Sequence, residues 1–95
     1  MIGRALAAAI GVASIAAAVA SAEPPTGATS CSGCHPASRV TSPVPRLAGV
    51  DQAAIVRALQ EFRSGQRPAT VMDRIAKGFT EDEIQALAAW FATQK

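Results

Sequence analysis

The 95 residues contain no tyrosine, one tryptophan, three phenylalanines, one histidine and two cysteines. So few large rings leave little with which to fill a core. A chain this short buries only about 60% of the surface its unfolded form exposes. Domains of this size rely on a staple such as a disulfide, a metal or a cofactor. That shortage argues against a self-sufficient enzyme with a deep pocket. An excess of one charge is also missing, since nine basic and seven acidic residues give a net charge of +2. Such a balance makes no case for nucleic acid or an anionic membrane as partner. No stretch beyond residue 22 alternates as a strand would, and there is no internal repeat and no second domain.

The one long apolar run lies at the start. Met1–Arg4 carries a single positive charge, and Ala5–Ala20 is apolar but for Gly11 and Ser14. Ala20-Ser21-Ala22 then forms an A-x-A cleavage site before Glu23-Pro24-Pro25. A short charged start, an apolar middle and a small-residue exit constitute a secretory signal peptide. As a retained anchor the run is marginal for the ~30 Å of a bilayer core. We therefore expect residues 1–22 to be cleaved and residues 23–95 to function in the periplasm, with no attachment to the membrane after cleavage. Apolar residues fall from 49% of the whole chain to about 41% of residues 23–95, and the net charge falls to +1.

The staple is legible in five residues. Both cysteines and the only histidine stand together as Cys31-Ser32-Gly33-Cys34-His35. C-x-x-C-H is the motif of covalent c-type haem attachment. Residues three apart share one face of a helical turn, so two thiols can add to the two vinyl groups along one porphyrin edge. The imidazole that follows then reaches the iron. A Cys31–Cys34 disulfide would close a tiny loop and stabilise little. A thioredoxin-like pair needs a βαβ pattern, which is missing. Structural zinc wants four ligands, and only three soft ones exist. The expectation is one haem c, with thioethers to Cys31 and Cys34 and His35 as an axial iron ligand.

The sixth iron position needs another donor. Residues 23–95 hold no second histidine and a single methionine, Met72. A lone methionine is ordinarily a core filler, but Met/His ligation is the arrangement of electron-transferring cytochromes c and raises their potential. Met72 is therefore expected as the second axial ligand. A metal-bound histidine donates its other N–H to a carbonyl or carboxylate. The carbonyl of Pro45 is the candidate here, alongside its plain reading as a turn proline. No catalytic residue is assigned.

The remainder reads as a helical wrapper. A short helix is predicted from about residues 26–28 through His35, ended by Pro36. Arg39–Pro45 reads as loop. Asp51 is a good N-cap for a helix carrying Ala54, Ile55, Ala58, Leu59 and Phe62 on one stripe, with Ser64-Gly65 ending it. Val71–Ala76 makes a turn or two bearing Met72. Thr80-Glu81-Asp82-Glu83 is a capping box for a last helix running to about Thr93, with Ile84, Leu87, Ala88 and Phe91 on one face. Trp90 is expected to pack against the first helix and the haem surround. The fold class is all-α, three to four helices around one covalently bound haem.

With C-x-x-C-H, Pro45-Arg46-Leu47-Ala48-Gly49, a late methionine and an aromatic final helix, the chain resembles class I bacterial cytochromes c. Ser64-Gly65, Thr70–Thr80 and Ala88-Ala89-Trp90-Phe91 make it similar to the cytochrome subunit of flavocytochrome c sulfide dehydrogenases. That resemblance implies the small class I cytochrome c fold. It also implies an FAD-containing flavoprotein subunit as partner, oxidising sulfide and passing electrons singly to the haem, with a downstream periplasmic acceptor beyond. Many members of that family carry two haems on a longer chain, whereas this one has a single motif. Pro36-Ala37-Ser38 also stands where many relatives have glycine. Three functions follow for comparison: a haem subunit of a flavin dehydrogenase, a free periplasmic electron shuttle, and a cytochrome with an open sixth site. In none does the chain carry out substrate chemistry alone. A permanent subunit calls for an apolar patch near the haem edge. Val40, Val44, Val50 and Val71 are candidates for it or for core. The basic run Arg57, Arg63, Arg67, Arg74 and Lys77 suits an acidic partner, the haem propionates or plain solvation.

Overall fold

The computed structural model describes Gly3, Gly11 and residues 23–95. Apart from those two glycines, the expected signal peptide over 1–22 lies outside the described residues. Every regular element among the described residues is a helix: α1 (Ala28–Ser32), α2 (Gln52–Ser64), α3 (Met72–Ala76) and α4 (Glu81–Thr93). No helix among them is long and apolar enough to cross a membrane.

The helix ends follow local chemistry. At α2 the Asp51 carboxylate accepts from the Ala54 N–H at 3.2 Å, satisfying a donor that the first turn leaves unpaired. Gly65 closes the same helix at φ 79°, the left-handed conformation that glycine adopts without a Cβ clash. At α4 the Thr80 hydroxyl accepts from Glu83 N–H while the Glu83 carboxylate accepts from Thr80 N–H, at 3.2 and 2.9 Å. Those two bonds complete the reciprocal capping box.

The first helix is shorter than the sequence suggests. It stops at Ser32 rather than His35. The chain keeps winding as a turn, with the N–H groups of Cys34 and His35 both reaching the Cys31 carbonyl at 3.2 and 2.9 Å. Pro36 keeps the winding from continuing past His35, because a residue before proline is pushed out of the helical region.

α2 lies against both α3 and α4. Ala28 of α1, Ile55 of α2 and Leu87, Ala88 and Phe91 of α4 form one buried cluster, flanked by Cys31, Leu47, Val56, Leu59, Phe79 and Trp90. The hydrogen bond from Gly49 N–H to the Phe91 carbonyl, 2.9 Å, ties the long middle segment to the end of α4. Gly27 enters α1 at φ 90° with the Phe79 ring directly against it. The core is thin, since three of the seven buried apolar residues among those described are alanines.

Candidate functional site

What the core lacks, a cavity explains. Apolar side chains from all four helices and the middle segment surround a cavity of about 1000 Å³. That volume lies at the upper end of the roughly 300–1,000 Å³ typical of ligand sites. Cys31, Cys34 and His35 line it from the α1 side and Met72 from the start of α3. Pro45 and Leu47 come from the middle segment, Ala54, Ile55, Ala58, Leu59 and Phe62 from α2, and Leu87 and Phe91 from α4. The two thiols, the imidazole and the thioether singled out in the sequence therefore share one cavity.

The donors are in suitable chemical states. Both cysteines carry free thiols. Burial pushes the Cys31 thiol above its ordinary range, partly opposed by a backbone hydrogen bond. His35 is half-buried, and its Nδ1 lies 2.5 Å from the Pro45 carbonyl oxygen. A carbonyl only accepts, so Nδ1 carries a proton, and in the neutral ring Nε2 is the nitrogen with the free lone pair. Arg46, next to that carbonyl, donates from Nε to the Ala37 carbonyl at 2.9 Å. Among the described residues no three His, Cys, Asp or Glu side chains converge on a point a bare metal ion could occupy.

The lining suits a large, flat, mainly apolar group with acidic edges. It contains no acidic residue, and its cations are Arg46, Arg57 and Arg67. Arg67 closes part of the rim by pairing with Glu61 at 2.9 Å, its guanidinium 5.4 Å from the centre of the Phe62 ring. This set of thiols, imidazole, thioether, apolar walls and arginines fits a covalent haem.

Some residues lie elsewhere than the sequence suggested. Trp90 touches the core cluster and stands edge-on to Phe91, ring centres 4.9 Å apart, but does not line the cavity. Its indole N–H is buried without a partner among the described residues. The apolar stripe of α2 forms a cavity wall, which the sequence leaves open, because periodicity shows that a face is apolar and not what it faces. Val44, Val50 and Val71 belong to the cavity walls, whereas Val40 stands apart, 58% exposed. In the basic run, Arg57 and Arg67 line the cavity, and Arg63 lies 3.7 Å from Glu81. Pro43, Pro68 and Ala69 also line the cavity, and nothing in their local spacing marks them.

No family model matches the chain. It is 41% identical over 63 residues to the cytochrome subunit of sulfide dehydrogenase from Chlorobaculum tepidum, covering 65% of this chain and 57% of that protein. The similarities are those of a class I cytochrome c. The thiosulfate dehydrogenase electron acceptor of Stutzerimonas stutzeri is 37% identical over 65 residues, 65% of this chain and 30% of that protein. Cytochrome c-552 of Acidithiobacillus ferridurans is 34% identical over 64 residues, 66% of this chain and 28% of its own length. The chain thus spans little more than half of the first of these cytochromes and under a third of the other two. All three names belong to cytochromes or electron acceptors, and none to a protein that transforms a substrate by itself.

Proposed function

We propose that residues 23–95 form a periplasmic monohaem cytochrome c domain that transfers single electrons in the oxidation of sulfur compounds. In this reading it is the haem subunit serving an FAD-containing sulfide dehydrogenase flavoprotein, and it passes electrons to a downstream periplasmic acceptor. The reading rests above all on one observation: Cys31, Cys34, His35 and Met72 line the same apolar cavity. The likeness to a sulfide dehydrogenase cytochrome subunit supports the choice of partner.

Bound haem supplies an iron that stores one electron reversibly. Everything else is the work of the chain. Cys31 and Cys34 would hold the group through thioethers. His35 would offer Nε2 to the iron, while the Pro45 carbonyl accepts from its Nδ1–H and so fixes tautomer and ring orientation. Met72, which lines the same cavity, would offer the iron a soft thioether, which favours the reduced state. Leu59, Phe62, Leu87 and Phe91 exclude water and so lower the local dielectric. Arg57 and Arg67 give the rim positive charge suited to the acidic edges of the group.

The second reading, a free electron shuttle, uses the same site and is favoured by the likeness to thiosulfate dehydrogenase electron acceptors. Gentle purification from the native periplasm, followed by oxidised and reduced spectra, separates the two. Sharp c-type bands with flavin absorbance in one species are expected. Bands without flavin select the shuttle, and no haem overturns both. The mass of the purified chain checks cleavage before Glu23.

A further inference from the structure

We propose that Arg46 is a positioning residue for the axial histidine. Its guanidinium holds shut the loop between His35 and Pro45 and thereby keeps the Pro45 carbonyl on His35 Nδ1. The inference rests on the reading above that His35 ligates haem iron.

The loop has little else to hold it. Residues 36–44 separate the imidazole from the segment bearing its acceptor. The hydrogen bonds within the loop are local, Val40 N–H to Ser38 O and Val44 N–H to Ser42 Oγ. Neither crosses its base. Two bonds do: His35 Nδ1 to Pro45 O and Arg46 Nε to Ala37 O, the latter 2.9 Å. They pair 35 with 45 and 37 with 46, side by side. A backbone ladder cannot take their place, because Pro36, Pro43 and Pro45 have no N–H to donate. Packing does not take it either, since most of the loop is exposed and Val40 is 58% so. A side chain therefore does what a ladder would. Arginine suits this role, since its guanidinium is always charged and holds its N–H groups in a rigid plane. Arg46 follows Pro45 directly, so fixing Arg46 against Ala37 fixes the carbonyl just before it.

The consequence reaches the iron through the histidine. A firm bond from Nδ1–H to a carbonyl raises the basicity of the ligating nitrogen and so favours ferric iron. Loosening that bond favours ferrous iron and raises the potential. Arg46 also lines the cavity, and loss of its positive charge alone would lower the potential. The two roles therefore predict opposite signs.

The test uses the full-length, haem-loaded protein with Arg46→Ala and Arg46→Lys. Two quantities are read: the midpoint potential, and exchange of the His35 Nδ1 proton with deuterium, followed by NMR in the reduced state. Arg46→Ala should raise the potential and speed that exchange at least tenfold. Arg46→Lys keeps the charge but replaces the rigid fork, so it should move both in the same direction by less. A potential that falls or stays put, or an unchanged exchange rate, overturns the proposal. If Arg46→Ala does not accumulate, Arg46→Lys decides alone, and wild-type values for either readout overturn the proposal. Failure of the haem reading looks different: c-type bands would be missing from the unsubstituted protein.

Discussion

Single residues carry two separable demands in this chain, one of shape and one of ligation. Gly27 meets the first. It sits at φ 90° with the Phe79 ring where a Cβ would go. A non-glycine residue in such a conformation costs of order 1–3 kcal/mol, and here the aromatic ring must also move. Gly27→Ala should therefore lose about 2 kcal/mol or more in denaturant unfolding of the haem-loaded protein, and a loss under about 0.5 kcal/mol would contradict it. On the proposed reading Met72 meets the second demand. Met/His ligation raises the potential of a c-type haem, so Met72→Ala should keep its c-type bands and show a markedly lower midpoint potential. An unchanged spectrum and potential would instead support the open sixth site. The two residues were not equally legible. Met72 stands out as the lone methionine of residues 23–95. The need for glycine at 27 comes from a ring 52 positions away, which no local pattern records.

Elements in this protein are written locally at their ends and non-locally on their faces. Asp51, Gly65 and the Thr80–Glu83 box place the limits of α2 and α4 because each contact spans five residues or fewer. Thr80→Ala removes one member of the box and should cost about 1 kcal/mol, read from urea unfolding. Thr80→Ser keeps the acceptor and should cost much less. Glu81, in the first turn of α4, accepts from Gln85 at 3.1 Å and from Gln60 of α2 at 2.7 Å. Together with Arg63 these bonds hold its carboxyl below the usual carboxylate range. The sign follows from linkage: a depressed folded value stabilises above the unfolded value and is lost as pH falls through the folded one. Glu81→Gln should therefore lower stability slightly at neutral pH, where the contribution is present, and leave it nearly unchanged in acid, so that the fall on acidification is flatter. Its exposure keeps the effect small, and identical acid profiles for variant and parent would show that it contributes nothing. The faces of the helices are another matter. The stripe of α2 is plain in the sequence, but whether it meets protein or a bound group depends on α3, α4 and a proline-rich segment folding around it.

At the scale of the whole molecule, the ratio of core to cavity decides how the protein holds together. Among the described residues the buried apolar ones are Ala28, Ile55, Ala76, Ile84, Leu87, Ala88 and Phe91. Of the larger side chains among the described residues, only Ile84 and Leu87 are fully buried. Many of the other apolar groups line a cavity of about 1000 Å³. Facing apolar walls are stable only when something between them removes their surface from water, at roughly 25 cal/mol per Å². The polypeptide alone would have to close that gap with a core too small for the task, since domains of this length have little stability to spare. Binding of the group and folding of the chain should then be one event, as in small metal-dependent domains. The Cys31→Ser, Cys34→Ser double variant isolates the polypeptide term, because it removes both proposed covalent anchors and leaves the helix caps and the α2–α4 contact untouched. Purified without haem, it should show strongly reduced helical circular dichroism and no cooperative thermal transition, whereas the haem-loaded parent should melt sharply. Parent-like helicity with a cooperative melt would show instead that α2, α3 and α4 hold the fold unaided, and that the cavity is a pocket built in advance of its occupant.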